Sequence, residues 1–147
     1  MKHKYMELAI KQAEKAYKLG EVPVGCVIVK DDKVIAKAHN MVEKKKDSTM
    51  HAEIIAIKKA SKKLKNWRLL DCDMYVTLEP CLMCKSTIEL SRMKNVYYST
   101  ISDNDINIKK AKYKEYKKYS KNTLELLQKF FKKKKIMFHV KHSKKIN

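Results

Sequence analysis

His51 and Glu53, separated by one residue, and Cys81 and Cys84, separated by two, are the side chains best suited to chemistry in this chain. One imidazole and two thiolates can hold a zinc ion, which takes tetrahedral nitrogen and sulfur ligands. Three protein ligands leave the fourth position to water, the arrangement of a catalytic rather than a structural site. A bound zinc lowers the pKa of that water towards neutrality, and a carboxylate two residues from the histidine can take the proton and pass it on without being a ligand. Glu53 is therefore the candidate catalytic residue, and His51, Cys81 and Cys84 are the candidate ligands of one Zn2+. Taken alone, the C-x-x-C pair also suits a redox couple or half of a structural zinc site, but neither explains His51 and Glu53. Both half-motifs in this order, with Pro80 before the cysteines and thirty positions between the first ligands (81 − 51), form a much more specific pattern.

The elements that must position these residues are legible from periodicity. Residues 5–19 repeat apolar side chains at helical spacing, and Gly20 is a plausible stop. Residues 21–29 lead into a buried strand. Asp31-Asp32 turns the chain, and residues 34–38 return as the second strand of a hairpin. Gly25, inside the first strand, marks a close approach by another segment or by a ligand. His39 is expected to be an exposed or loop histidine. Asn40 ends the hairpin; its amide offers a donor and an acceptor to a purine edge, and it is equally suited to a turn. Residues 41–49 read as a charged connector. Ser48 or Thr49 is expected to cap a strongly apolar helix with His51 and Glu53 in its first turn. After a loop at 66–71, residues 74–78 form a third strand. Cys81 and Cys84 then open a helix, one turn apart on the same face, that continues through Ile88, Leu90 and Met93. Two helix starts thus point at one ion, where the dipole favours hydroxide, carboxylate and thiolate. Residues 96–98 begin another strand. The alternation is that of an α/β layered fold, with no internal repeat.

Beyond residue 101 the pattern weakens. Residues 102–118 are polar and rich in lysine and tyrosine, and are expected to be loop with a short helix. Residues 123–131 form a last amphipathic helix ending in Phe130 and Phe131, followed by the lysine run 132–135. Those lysines suit a helix C-terminus, and the aromatic-basic end, with Lys132 and Lys133, equally suits a phosphate backbone. A single domain is expected over residues 1–135, with a flexible basic tail at 136–147.

The bounds agree with a small globular protein. The 147 residues are 44% hydrophobic, enough for a real core. The first twenty carry lysine and glutamate throughout, and no apolar run approaches membrane-spanning length, so neither a secretory signal nor a membrane partner is expected. Cys26 and Cys72 sit in apolar, strand-like stretches and are expected to be buried thiols in a reducing, cytoplasmic compartment. The net charge of +19 favours a polyanionic partner such as nucleic acid. Only Arg68 and Arg92 among the 35 basic residues are arginine, a skew that compositional drift would also produce.

The H-x-E and P-C-x-x-C pattern is that of zinc-dependent nucleobase deaminases. Over residues 5–98 the chain resembles one group of that superfamily, the bacterial tRNA-specific adenosine deaminases, which convert adenosine to inosine at the wobble position of a tRNA anticodon. The resemblance rests on Glu21-Val22-Pro23-Val24-Gly25, Asn40, Thr49-Met50-His51-Ala52-Glu53-Ile54, Val76-Thr77-Leu78-Glu79-Pro80-Cys81-Leu82-Met83-Cys84 and Ser91-Arg92. It implies a three-layer α/β/α cytidine deaminase-like fold, with a mixed five-stranded sheet between helices, and a homodimer. It also implies roles: His51, Cys81 and Cys84 on zinc, Glu53 as proton shuttle for the activated water, and Asn40 hydrogen-bonded to the flipped base. The anticodon stem-loop is the implied partner, and Phe130, Phe131, Lys132 and Lys133 are candidate RNA contacts. The chain departs from the family at Lys85-Ser86-Thr87, where small residues are usual, and around Ser102-Asp103-Asn104-Asp105, where the family carries a glycine-containing RNA-gripping loop. Two alternatives stay open: a deaminase of a free base such as guanine or cytosine, and a non-catalytic RNA-binding subunit of the same fold.

Overall fold

A computed structural model describes residues 2–102 and 113–146, with side chains through Lys134. In chain order the elements are α1 (His3–Lys18), β1 (Gly25–Lys30), β2 (Lys33–His39), α2 (Val42–Lys45), α3 (Ala52–Leu64), β3 (Asp73–Leu78), α4 (Leu82–Leu90), β4 (Asn95–Thr100), β5 (Tyr113–Glu115), a 3-10 turn (Lys117–Tyr119) and α5 (Ser120–Ile146). The five strands form one mixed sheet in the order β2-β1-β3-β4-β5. β1 is antiparallel to both β2 and β3, and β3, β4 and β5 run parallel. The hairpin turns on Asp31 and Asp32, both at positive φ (50° and 59°), the two-residue geometry that matches strand twist.

Period-two alternation divides the strands between two cores. Cys26, Ile28, Met74, Val76 and Val96 face Ala52, Ala56, Ile57 and Ala60 of α3 and Ile88 of α4. Val27, Val29, Tyr75 and Tyr97 face Tyr5, Met6 and Ala9 of α1, where the Tyr5, Tyr75 and Tyr97 rings meet in tilted pairs at centroid spacings of 5.4 and 4.9 Å. α5 joins the α1 side: Thr123 hydrogen-bonds the Ser99 and Thr100 hydroxyls of β4, and Phe130 meets Tyr17 edge-on at 6.5 Å. Helices thus cover both faces of the sheet, as expected. Gly25 settles its own question. A Cβ there would lie 1.9 Å from the Ala9 carbonyl oxygen and 2.5 Å from the Ala13 nitrogen, so the close approach is made by the backbone of α1 and not by a ligand.

Several expectations are corrected. The cap of α3 is His51 itself, in extended backbone and without a side-chain cap. Thr49 instead donates from both its N–H and its hydroxyl to Asp47, at 2.8 and 2.6 Å. The missing cap costs about 1 kcal/mol, and burial of Ile54 and Ile57, at about 1.5–3 kcal/mol each, outweighs it. α4 stops at Leu90, because the chain turns through Arg92 at φ 64° before Met93. The connector at 41–49 contains the short helix α2. His39 is buried, and its Nδ1 lies 2.9 Å from the Asn40 carbonyl oxygen. Within the stretch read as loop, 113–115 is the edge strand β5, paired with β4. The departure at 103–105 lies outside the described residues. The backbone of α5 is helical through Ile146, which includes most of the stretch read as a tail. Cys26 and Cys72 are free, buried thiols.

Candidate active site

The two helix starts converge as the sequence requires. His51 is the N-cap of α3, and Cys81, also in extended backbone, is the N-cap of α4. Cys84 lies one turn further along, and β3 delivers the chain to Pro80. His51 Nδ1 stands 3.7 Å from Cys81 Sγ and 3.6 Å from Cys84 Sγ. The three donor atoms all lie within 4.8 Å of one another, and they form a metal-competent cluster among the described residues. Tetrahedral zinc, with bonds of about 2.0–2.1 Å to nitrogen and 2.3 Å to sulfur, separates those atoms by about 3.5 Å. The spacing therefore fits the ion, and so does the donor set of one imidazole and two thiols.

The electrostatics point the same way. The Cys84 thiol and His51 both hydrogen-bond to Cys81, whose thiol pKa is held down to about 3. The same bond to Cys81 and its own burial push Cys84 up. His51 is raised, chiefly by its bond to Cys81. The three groups share protons that a metal ion displaces. Glu53 follows one residue into α3 and is 3% exposed. Burial raises its carboxyl above the usual range, against the lowering effect of hydrogen bonds from its own backbone and from Cys84. A carboxyl raised in this way holds a proton more readily than an exposed one, which suits a group that takes a proton and gives it back.

His51, Glu53 and Cys81 lie in the wall of a cavity of about 580 Å³, which Asn40, Val22, Val24, Phe130 and Phe131 also line. Asn40 is buried there. Its amide donates to the Val22 carbonyl and accepts from the Val42 N–H, both at 3.4 Å, so it closes a turn and also borders the cavity. Phe130 is buried, and Phe131, half exposed, stands at the rim with Lys134. Lys132 faces a neighbouring groove. Lys133 sits over the Tyr17 ring at 6.0 Å, away from the cavity. The lining residues to which sequence reasoning gave no site role include charged groups set into the wall. Glu21, 2% exposed, accepts the Glu43 and Lys44 N–H groups at 2.9 Å and so caps α2. Glu79 and Lys134 also line the cavity. Position 134 lies within the lysine run already singled out, and Glu21 and Glu79 fall inside the motif blocks that carry the resemblance, which assigned them no role.

Residues 1–100 match the family model of the cytidine and deoxycytidylate deaminase zinc-binding region. The chain belongs to that family. The zinc-binding family model and the metal-competent group of His51, Cys81 and Cys84 together support zinc as the cofactor. Among curated relatives, the tRNA-specific adenosine deaminase of Aquifex aeolicus is 47% identical over 68% of this deaminase-family chain and 66% of its own length. That of Streptococcus pyogenes is 47% identical over 64% of this chain and 59% of its own length. The chain therefore spans somewhat less than two thirds of these relatives. A solved structure from a study of A-to-I editing by tRNA:A34 deaminases superposes with a TM-score of 0.78 at 33% identity, over 86% of this chain and 100% of that one. The guanine deaminase of Bacillus subtilis superposes with a TM-score of 0.65 at 39% identity, over 69% of this chain and 66% of that one.

Proposed function

We propose that the protein deaminates adenosine to inosine by hydrolysis at the wobble position of a tRNA anticodon. The observation that carries this is the buried Glu53 beside the His51, Cys81 and Cys84 centre, at a cavity that Phe130, Phe131 and Lys134 of α5 also line. Zinc, when bound, lowers the pKa of a water towards neutrality. Glu53 receives the proton that this water gives up as oxygen bonds to the amino-bearing carbon of adenine. It returns protons to the ring nitrogen and to the amine, which leaves as ammonia. Asn40 would orient the base through its amide. Phe131 offers a face for stacking and Lys134 a cation for phosphate, with Lys132 further along the same helix. An anticodon base is already unpaired, so delivering it to the cavity costs little. The resemblance to A34 deaminases and the charge of +19 support an RNA substrate. The homodimer and the cytoplasmic setting belong to the same proposal. Among the described residues no helix is long and apolar enough to cross a membrane.

The similarity to a guanine deaminase favours a second reading, in which a free base is the substrate. The deciding experiment incubates the zinc-loaded protein with an anticodon stem-loop bearing adenosine at the wobble position, and separately with free guanine, cytosine and adenine. Inosine at that one position is expected. Turnover of a free base without inosine would move the substrate to the second reading. No turnover of any of them, with zinc bound, would favour a non-catalytic subunit.

A further inference from the structure

Glu79 and Lys85 bracket the metal ligands in the chain, Glu79 two residues before Cys81 and Lys85 immediately after Cys84. Neither has a part in the chemistry above, and Lys85 stands where the resemblance expects a small residue. Yet Lys85 is 5% exposed. Its Nζ lies 3.1 Å from Glu79 Oε2 and 5.5 Å from the centroid of the Tyr113 ring. The other Glu79 oxygen accepts the Ser102 N–H at 3.2 Å, and the Glu79 N–H donates to the Thr100 carbonyl at 2.8 Å. Tyr113 on β5 donates to the Lys85 carbonyl at 3.5 Å. The Lys85 N–H in turn donates to the Cys81 carbonyl at 2.9 Å, within the first turn of α4. The ion pair therefore closes a ring over the Pro80–Cys84 turn and ties that ring to the ends of β4 and β5.

We propose that Lys85 is a positioning residue for the metal centre: through Glu79 it holds the turn that carries Cys81 and Cys84, and so sets the placement of both sulfurs against His51. Packing does not account for a lysine at this place. A methionine would fill the same volume without desolvating a charge, and a buried ion pair is close to neutral for stability against an apolar replacement. What the pair supplies is direction. Glu79 is anchored through its backbone N–H to Thr100 of β4 and through one carboxylate oxygen to the Ser102 N–H just beyond that strand, and the ammonium makes that anchor reach the helix bearing Cys84. Partners that orient metal ligands in this way typically affect metal affinity by about 10–100-fold. The inference concerns zinc and this turn alone, so it goes beyond the nucleic-acid reading and stands whether or not RNA is the substrate.

The test is zinc affinity, read by competition with a chromogenic chelator, for the parent, Lys85→Met, Lys85→Arg, Glu79→Gln and the double variant Lys85→Met/Glu79→Gln. Lys85→Met and Glu79→Gln should each bind zinc about 10-fold more weakly. Lys85→Arg keeps a cation against Glu79 and should stay within about threefold of the parent. The double variant should be no weaker than the poorer single variant, because the two residues act as one unit. Parent-like affinity in Lys85→Met overturns the proposal. So does a double variant whose loss is the product of the two single losses. If Lys85→Met does not fold, Glu79→Gln decides, and parent-like affinity there overturns the proposal as well.

Discussion

Replacing Gly25 by alanine should separate α1 from the sheet. The new Cβ would lie 1.9 Å from the Ala9 oxygen, 2.5 Å from the Ala13 nitrogen and 2.8 Å from the Gln12 Cβ. An ordinary carbon-oxygen contact needs about 3.3 Å or more, so α1 must retreat by more than about 1 Å. Two of the three obstructing atoms belong to helix backbone and cannot rotate aside. Overpacking that side chains can absorb costs about 1–3 kcal/mol. Here the whole face formed by Met6, Ala9 and Ala13 must lift, and each sub-ångström gap forfeits a quarter to a half of the dispersion at those contacts. A loss above about 3 kcal/mol is expected, a large part of the 5–15 kcal/mol that holds a typical domain. With a urea m-value of about 2 kcal/mol/M, that is a midpoint lowered by about 1.5 M. Gly20→Ala is the control. Gly20 has φ +76° with nothing within 4 Å of an added Cβ, so it carries only the backbone penalty of about 1–2 kcal/mol. The assay is urea unfolding of the zinc-saturated protein followed by circular dichroism. A Gly25→Ala midpoint no lower than that of Gly20→Ala would refute the close packing of β1 on α1.

Glu53→Gln keeps the shape of the side chain and removes its proton-accepting charge. Its kcat on the stem-loop should fall by about 10²–10⁴-fold with zinc content unchanged, and a loss under about tenfold would remove Glu53 from the proton path. Burial raises the Glu53 carboxyl above its unfolded value, so in chelator-treated protein the folded state holds its proton longer than the unfolded chain does. Stability should therefore decline as pH rises from about 4.3, the unfolded value, through the higher folded one. Glu53→Gln should lack this slope, and identical pH profiles for the two proteins would contradict the burial argument. Stripping zinc present at about 100 times its Kd should cost about 2.7 kcal/mol, a fall in Tm of about 5–10 °C for a chain of this size. Calorimetry before and after chelation measures it, and an unchanged Tm would mean that the ion does not bind the folded state preferentially.

The candidate metal centre could be read from the sequence because its constraints are local. Zinc demands a nitrogen and two sulfurs. A helical turn places residues three apart on one face, so Cys81 and Cys84 declare themselves. Glu53 lies two positions from His51 in the same chain direction. The hairpin is equally local: Asp31 and Asp32 must both take positive φ, and the unbroken apolar run from Cys26 to Val29 states that both faces are covered. The remainder depends on residues far apart in the chain, for which no periodicity exists. Glu21 meets the α2 N-terminus 22 positions on, and Glu79 meets Ser102 23 positions on. Only the packed sheet brings these segments together. His39 looks like a loop histidine until its strand is placed in the layer, where it is buried. Gly25 could announce a close approach but not what approaches, since that depends on where α1 lies across β1. The lysine run at the end of α5 presents a uniform charge in sequence. The helix rotation that turns Lys133 onto Tyr17 and Lys134 to the cavity comes from Phe130 docking against α1, a contact between side chains 113 positions apart (130 − 17). Residue chemistry and short-range spacing therefore determined the metal centre and the elements that carry it. Tertiary packing decided the cavity wall, the ion pair behind the cysteines and the face that α5 shows to a substrate, because those contacts exist only once distant segments share one core.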